Sequence, residues 1–330
     1  MDRVGQASAP GKIILSGEHS VVYGYPALVS AISLRCTAYA QFLPEPGIEI
    51  ISRDLNVRQI YSLDEVIRLK DIPMNKKTDN LAYAVFKTIE HLEMDLRREN
   101  GVTISISSEI PISAGLGSSA ASAVASVGAV ISLLREKLEN EVISKLAYEG
   151  EVLAHGTPSG VDNAAATYGG FLKYEKGEIT KLDIVSEVPL LIVNSMVPRE
   201  TKKLVGAVRE RYNQNEAVMK NILAVMGKIP QEMIQCLSEG DYNRMGQLME
   251  INHGLLEAIG VGHQALSEIV WEAKKNGALG AKLTGAGGGG CGIILPENEE
   301  QALAISHSLQ ERQFKVFPTK VSHQGVKIAG

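Results

Sequence analysis

Alternation of apolar and polar residues predicts strands in the first third of the chain. In GVTISISSEIP, the apolar residues Val102, Ile104 and Ile106 are separated by single polar residues. Successive side chains of a strand point to opposite faces, so this spacing predicts a strand with one buried face. Two earlier apolar runs, KIILSGEHSVV and PALVSAISLRCTAYAQF, predict a pair of strands around a turn.

Apolar residues that recur every three or four positions predict helices among these strands. TDNLAYAVFKTIEHLEM predicts a helix that Thr78 or Asp79 caps. The same periodicity predicts helices at about residues 118–134 and 141–154.

Two stretches of the first half depart from this periodicity. Residues 44–77 are polar and irregular, and we interpret them as an excursion or a lid. GGFLKYEKGEITKLDI predicts a hairpin that turns at Lys176 and Gly177.

The buried strand VPLLIVNS predicts the start of a second domain. We therefore expect an N-terminal domain over residues 1–187 and a C-terminal domain over residues 188–330. Two or three amphipathic helices at about 201–259, a glycine-rich stretch, a helix around EEQALAISHSLQER and a closing strand complete the chain. Because strands and helices do not alternate strictly, the order favours an α+β fold over a doubly wound sheet.

The composition is typical of a globular protein without a nucleic-acid surface. The 330 residues allow two domains, and the formal net charge of -5 comes without a Lys/Arg cluster, so no nucleic-acid partner is expected. Three widely separated cysteines favour a reducing compartment over a disulfide framework. The sequence shows no signal peptide and no apolar run that could span a bilayer, so we expect a cytoplasmic protein without a membrane partner.

The stretch PISAGLGSSAASAV, from Pro111, predicts a turn that a ligand approaches closely. Gly115 and Gly117 permit backbone conformations closed to other residues, and Ser118 stands where a helix N-cap belongs. The N–H groups and dipole of that helix would bind a phosphate, beside which Ser118 or Ser119 could ligate Mg²⁺. The spacing matches neither the P-loop nor the dinucleotide fingerprint. An ordinary capped helix with small residues packed against a sheet is the alternative.

Two acidic candidates follow in EVLAHGTPSGVDNAAATYGG. On the predicted helix, Glu151 shares the small, apolar side with Ala147 and Ile143, where an unpaired carboxylate is costly and a cation would neutralise it. Asp162 follows Ser159 by three residues at the start of another short helix. The alternatives are a Glu151 carboxylate that reaches solvent and a capping box formed by Ser159 and Asp162.

APGKIILSGEHSVVYG places Lys12 at the entrance to an apolar strand, and Glu18 and His19 in the turn after it. A lysine beside a carboxylate could neutralise charge that develops near a substrate hydroxyl. The alternative is a strand-end lysine followed by a solvated turn. No second His or Cys stands at metal-ligand spacing from His19, so this residue is not predicted to bind a metal.

Two further stretches carry candidate chemistry. In KLTGAGGGGCG, apolar residues flank the glycines on both sides, which favours a turn pressed against another loop or a ligand over a flexible linker. VPRETKK places Arg199, Thr201 and Lys202 after a buried strand, where they could hold a carboxylate or a phosphate. A solvated loop is the alternative.

Four of these stretches, APGKIILSGEH, PISAGLGSSAA, HGTPSGVDNAAATYGG and KLTGAGGGGCG, together resemble the GHMP kinases in order and spacing. The resemblance extends from Ala9 to about Ile294. It implies a homodimeric kinase that uses ATP and Mg²⁺, with an N-terminal domain like domain 2 of ribosomal protein S5 and a ferredoxin-like C-terminal domain. GEHSVVYG, HGTPSGVDN and VPRETK are most similar to the members that phosphorylate the primary hydroxyl of mevalonate, in isoprenoid biosynthesis.

The resemblance also implies roles for individual residues. Asp162 resembles the catalytic base and Lys12 the cation that pairs with it, while Glu151 with Ser118 or Ser119 resembles the Mg²⁺ ligands. The residues expected along the ATP phosphates are Pro111, Ile112, Ser113, Ala114, Gly115, Leu116, Gly117, Ser118, Ser119, Ala120 and Ala121. The expected substrate contacts are Lys12, Glu18, His19, Ser159, Asp162 and Thr201. The glycine loop at 285–290 is expected to border the site.

Three alternatives to this function stay open. A related kinase would act on phosphomevalonate, a sugar or an isoprenoid alcohol. A nucleotide-binding sensor would retain the phosphate turn without catalysis, because one fold hosts many functions. In a purely structural account the glycines form turns and the acids cap helices, but this does not explain why the four stretches occur together.

Overall fold

The computed structural model describes residues 3–94, 101–111 and 114–329, which form two sheets with helices packed against them. The strands of the first sheet are β1 (Val4–Ser16), β2 (Ala27–Leu43), β3 (Ile48–Ser52), β4 (Val57–Tyr61), β5 (Gly101–Ser108), β6 (Phe171–Glu175), β7 (Glu178–Leu182) and β12 (Lys327–Ile328). Their order is β12-β1-β2-β5-β3-β4, and the β6–β7 hairpin pairs with the start of β2. Only the pairing of β3 with β5 is parallel among these strands.

Five helices accompany the first sheet. They are α1 (Leu63–Arg68), α2 (Asp79–His91), α3 (Ser118–Leu134), α4 (Asn140–His155) and α5 (Val161–Tyr168). The small residues of α3 let it approach the sheet closely: a Cβ on Gly5 of β1 would collide with the backbone of Ala129 and Leu133. The tight packing expected of a small-residue helix is therefore present along α3.

The second sheet consists of β8 (Pro189–Asn194), β9 (Gly280–Thr284), β10 (Cys291–Leu295) and β11 (Lys315–Lys320), in the antiparallel order β11-β8-β10-β9. Its helices are α6 (Thr201–Gln214), α7 (Glu216–Met226), α8 (Ile229–Glu239), α9 (Tyr242–Ala258), α10 (Gln264–Lys275) and α11 (Glu299–Glu311). The strand order 4-1-3-2, with helices between the first and second and between the third and fourth strands, is ferredoxin-like. The predicted α+β class and ferredoxin-like C-terminal half are confirmed.

Both faces of the second sheet are buried. On β8, Leu190 and Ile192 join the core shared with the first sheet, while Leu191 and Val193 join a separate core beneath the C-terminal helices. This explains why VPLLIVNS is apolar throughout instead of alternating.

The interpretation of residues 44–77 as an irregular excursion is wrong, because this stretch contains β3, β4 and α1. Its strands are only five residues long, so no long periodicity marks them. One local signal was present: Ser62 and Glu65 form a complete capping box at the start of α1.

The expectation of two or three helices between residues 201 and 259 is too low. The structure has four there, α6 to α9, because the amphipathic pattern is interrupted by short breaks. Gly227 and Gly240 follow α7 and α8 as C-caps, and Asn215 separates α6 from α7. The hairpin at Lys176 and Gly177 is confirmed, with both residues at positive φ.

The chain changes from the first sheet to the second between β7 and β8, and then returns. β12 pairs antiparallel with β1 through Ala7–Ile328 and Ser8–Lys327. The boundary between residues 187 and 188 stays a prediction.

Within the described ranges, no helix is both long enough and apolar enough to cross a membrane.

Helix α9 lies unusually close to strand β9 at a pair of glycines. A Cβ on Gly246 would lie 3.0 Å from Gly280 N and would overlap Leu279 O. We expect Gly246→Ala to lower the free energy of unfolding by about 1–3 kcal/mol, because the added methyl must displace backbone. Gly254→Ala in the same helix meets nothing within 4 Å, and it should raise stability by up to about 1 kcal/mol. Urea denaturation of both variants checks this, and equal effects would contradict it.

Candidate active site

The turn before α3, at residues 114–117, is called the phosphate turn below. A main-chain hydrogen bond joins it to β1. Lys12 N donates a hydrogen bond to Leu116 O at 2.8 Å. Gly115 and Gly117 have φ values of 77° and 72°, in the left-handed region that favours glycine. A Cβ on Gly117 would lie 2.9 Å from Lys12 Cγ, so the lysine side chain runs directly over the turn.

The N-cap of α3 is Gly117 rather than Ser118, which corrects the expectation. Gly117 O accepts the hydrogen bond of Ala121 N at 3.0 Å, and the N-cap makes no side-chain hydrogen bond. Ser118 is thus the first helical residue, and its hydroxyl is not used for capping. The first N–H groups of a helix lack intrahelical partners and carry the positive end of its dipole, so this end suits an anion.

Lys12 and Asp162 form an ion pair, with Nζ and Oδ1 3.1 Å apart. The lysine side chain is 8% exposed, whereas that of Asp162 is 41% exposed. The capping-box alternative for Asp162 is wrong: α5 begins after Gly160 and its N-cap makes no side-chain hydrogen bond. Asp162 therefore lies at the open surface of the site with its charge turned toward Lys12.

Glu151 is buried on α4, at 7% exposure, so the alternative of a carboxylate that reaches solvent is wrong. The pKa of Glu151 is raised to about 7, mainly by burial and also by the charge of Asp162, while the charge of Lys12 opposes the shift. These influences show that the three side chains share one electrostatic environment. A cation next to Glu151 would favour its ionised form.

The donor set around Glu151 fits a hard cation only if hydroxyl and ligand oxygens contribute. Among the described residues, no group of three or more His, Cys, Asp or Glu side chains could hold a metal by itself. Ser118 and Ser119 stand at the adjacent helix start, and Ser119 Oγ accepts a hydrogen bond from Asn80 Nδ2 at 3.1 Å. Carboxylate and hydroxyl oxygens with phosphate oxygens are a common Mg²⁺ environment.

For Arg199 the sequence left two interpretations open, a cation that holds a carboxylate or a phosphate and a residue of a solvated loop. A Cβ on Gly115 of the phosphate turn or on Gly285 of the second glycine loop would collide with the Arg199 guanidinium. A Cβ on Gly290 of the same loop would lie 3.0 Å from Arg199 Cδ. Burial lowers the pKa of Arg199, and the nearby carboxylate of Asp162 opposes that shift. The arginine is thus a second cation within electrostatic reach of the Lys12–Asp162 pair.

The glycine loop at 285–290 is an ordered turn, as predicted. Gly288 N donates to Val261 O and Gly290 N to Val197 O, both at 2.9 Å. Cys291, which follows the loop, is buried, and burial raises the pKa of its thiol to about 12. The thiol is therefore un-ionised at neutral pH and is not a nucleophile.

Glu18 and His19 lie in a buried turn, so the alternative of a solvated turn is wrong. His19 Nε2 is 2.9 Å from Ala286 O, and burial lowers the pKa of this histidine. Glu18 is 2% exposed and contacts Lys282 and Asn252 with its two carboxylate oxygens. Both oxygens therefore already have a partner within the protein, and a direct contact between Glu18 and the substrate stays a prediction.

The substrate contacts predicted for Ser159 and Thr201 stay predictions. Ser159 lines a separate cavity of about 460 Å³ between α4, α5 and β7, with Tyr148 and Asn163. Thr201 is the first residue of α6 and is exposed. Ile112 and Ser113, which precede the phosphate turn, lie outside the described residues.

A second cavity, of about 200 Å³, opens beside the N-terminus of α3. It is lined by Ser118, Ser119 and Ser122 from that helix and by Lys77, Asn80 and Leu81 from α2 and the loop before it. Asp54, from the β3–β4 turn, forms part of its wall. A nucleoside could therefore extend from phosphates bound at the helix start into this cavity.

Two family models match the chain. The one described as GHMP kinases N terminal domain matches residues 80–170, and the one described as GHMP kinases C terminal matches residues 233–315. The first match contains the phosphate turn, Glu151 and Asp162, and the second contains the glycine loop.

Known proteins match the chain over almost its full length. The mevalonate kinase of Thermococcus onnurineus is 42% identical over 331 residues, which cover 98% of this chain and 97% of that protein. The crystal structure of the Methanococcus jannaschii mevalonate kinase is 31% identical, with a TM-score of 0.84 over 96% of this chain and 98% of that one. A crystal structure of L. major mevalonate kinase in complex with R-mevalonate is 29% identical, with a TM-score of 0.82 over 98% and 96% of the two chains.

The raised pKa of Glu151 predicts how stability depends on pH. The pKa of Glu151 is 4.5 in the unfolded chain and about 7 in the folded one. Its ionisation therefore leaves the free energy of unfolding unchanged below pH 4.5 and lowers it by the full amount above pH 7. We expect Glu151→Gln to gain stability relative to the wild type as the pH rises from 5 to 8, by at most about 3 kcal/mol. The exposed Glu268→Gln is the control. Urea denaturation at each pH measures the effect, and a gain independent of pH would contradict it.

Proposed function

The chain belongs to the GHMP kinase family, and we propose that it transfers the γ-phosphoryl group of ATP to the primary hydroxyl of mevalonate, giving 5-phosphomevalonate and ADP. The observation that carries this proposal is the Lys12–Asp162 ion pair beside the open N-terminus of α3. The full-length similarity to mevalonate kinases supports the choice of acceptor. The product would enter isoprenoid biosynthesis.

The phosphate turn binds the nucleotide in this proposal. The N–H groups at the start of α3 bind the ATP phosphates, and the glycines at 115 and 117 let those phosphates lie against bare main chain. The cavity at Lys77 and Asn80 receives the nucleoside. Phosphoryl transfer depends mainly on positioning and charge stabilisation, and these elements provide the positioning.

Asp162 is the general base. As the acceptor oxygen bonds to the γ-phosphorus, Asp162 takes the hydroxyl proton and the bond from the γ-phosphorus to the bridging oxygen breaks, releasing ADP. Lys12, held 3.1 Å from Asp162, orients this carboxylate and stabilises negative charge beside the acceptor oxygen. The exposure of Asp162 leaves it accessible to the acceptor.

Glu151, with Ser118 or Ser119, would hold Mg²⁺. When bound, this ion neutralises charge on the ATP phosphates. The burial of Glu151, which makes its isolated charge costly, supports this assignment.

Arg199 and His19 form the acceptor side. Arg199 provides a cation next to both glycine loops, which suits an acceptor with one carboxylate, such as mevalonate. His19 adds a buried polar ring in the adjacent turn. A cytoplasmic location and a homodimer remain predictions.

A panel of acceptors tests the proposed function. We expect purified protein with ATP and Mg²⁺ to release ADP rapidly with mevalonate and slowly with phosphomevalonate, galactose, homoserine or an isoprenoid alcohol. A coupled ADP-release assay measures this. A faster rate with another acceptor would identify a different kinase of the family, and ATP binding without any acceptor-dependent ADP release would indicate a nucleotide sensor.

Replacement of the base tests the mechanism. We expect Asp162→Asn to lower kcat by about 10²–10⁴-fold, because the amide cannot accept the hydroxyl proton. ATP affinity, measured by calorimetry, should change little, since the carboxylate is assigned to the acceptor. Asp183→Asn removes an exposed carboxylate after β7 and should keep the wild-type kcat. A near-normal kcat in Asp162→Asn would remove this residue from the mechanism.

A further inference from the structure

A buried ion pair joins the turn after β1 to the second sheet. Lys282 of β9 has no exposed surface, and its ammonium contacts the carboxylate of Glu18, which is 2% exposed. Lys282 Nζ also donates to Leu283 O at 2.6 Å. The pair links residues 264 positions apart, so it fixes two distant parts of the chain to each other.

A third element completes the environment of Glu18. Asn252 of α9, itself fully buried, donates from Nδ2 to the second carboxylate oxygen at 3.1 Å. Glu18 is thus held from β9 on one side and from α9 on the other. The close glycine contact between these two elements, at Gly246 and Gly280, sets their separation.

Further contacts tie β1 to the end of β9 and the turn after β1 to the glycine loop. Thr284 Oγ1 accepts from Ile14 N at 3.1 Å and donates to Ile14 O at 3.0 Å. His19 Nε2 lies 2.9 Å from Ala286 O. Between Lys12 and His19, the chain is therefore connected to residues 282–286 at three places.

Stability alone does not account for a fully buried lysine. Removing two charges from water costs several kcal/mol per ion, and apolar residues of similar volume are often as stabilising as the pair they replace. His19, the neighbour of Glu18, has a φ of 61°, which is uncommon for a residue other than glycine. Such a conformation persists only where the surroundings over-determine it.

We propose that Lys282 is a positioning residue: by holding Glu18, it fixes the His19 turn against the glycine loop and so sets the geometry of the acceptor side of the site. The inference rests on the proposed function for its choice of acceptor. Lys282 does not touch the acceptor in this account, and the phosphate turn, which β1 holds separately through Lys12 N and Leu116 O, keeps its geometry when the pair is lost.

The test uses a double variant, because a single substitution strands a buried charge and can prevent folding. In Glu18→Gln/Lys282→Met both charges are removed at nearly constant volume. We expect its kcat/KM for mevalonate to fall by about 10–100-fold, since a displacement of the order of 1 Å has such effects. The KM for ATP should stay near the wild-type value. Asn252→Leu, which removes one contact to Glu18 and keeps the ion pair, should lower kcat/KM for mevalonate by less.

Glu272→Gln is the matched control. Glu272 is a buried carboxylate bound to Ser308 and Arg312, within the C-terminal helices. It should lose stability with unchanged kinetic constants. Wild-type kcat/KM for mevalonate in the folded double variant would overturn the proposal, as would equal losses for mevalonate and ATP. If the double variant does not fold, the same criteria apply to Asn252→Leu.

A substrate-independent measurement separates this proposal from the proposed function. In the turn, Val21 N donates to Gly17 O and Val22 N to His19 O, both at 3.1 Å. We expect these amides to exchange hydrogen faster in the double variant and not in Glu272→Gln. If the wild type does not phosphorylate mevalonate, the proposed function fails, and faster exchange would still support the positioning of the turn. Unchanged exchange would contradict the positioning role whatever the acceptor.

Discussion

The site depends on an ammonium group that the fold buries beside a carboxylate it leaves accessible. Lys12 lies over the phosphate turn with little exposed surface, and the nearest opposite charge is Asp162 at 3.1 Å. A buried cation needs a partner because its desolvation is costly, so the ion pair constrains where α5 can lie relative to β1. Glu151 adds a second carboxylate whose burial makes a bound cation favourable. The charge state of Glu151 therefore depends on both members of the ion pair.

Close approach of main chains is the second constraint. The guanidinium of Arg199 occupies space that a side chain at Gly115 or Gly285 would fill. Two glycine-rich turns from different halves of the chain can therefore meet around one arginine. The absence of side chains leaves room for the ligand and also for the cation that would bind it. The glycines thus make space for the positive charge of Arg199 in the site.

Strand β1 connects the two halves of the site. Near the C-terminal end of β1, the main chain of Lys12 is hydrogen-bonded to the phosphate turn. Two residues later, the main chain of Ile14 is hydrogen-bonded to Thr284 of β9. The turn that follows is held by Lys282 and Asn252. In the proposed function, the nucleotide and acceptor sides are therefore both positioned by the last residues of β1 and the turn after it.

The sequence alone predicted the α+β class, most strands and helices, and the glycine turn, because these follow from local periodicity and from the backbone freedom of glycine. It missed β3, β4 and α1, because these strands and this helix are too short to show a long periodicity of apolar residues. It could not decide whether Asp162 caps a helix or pairs with Lys12, or whether Glu151 reaches solvent, since each answer depends on side chains far away in the chain. The Glu18–Lys282 pair spans 264 positions and leaves no local signal. Only the tertiary structure brings such residues together, because burial and charge pairing are properties of the packed chain.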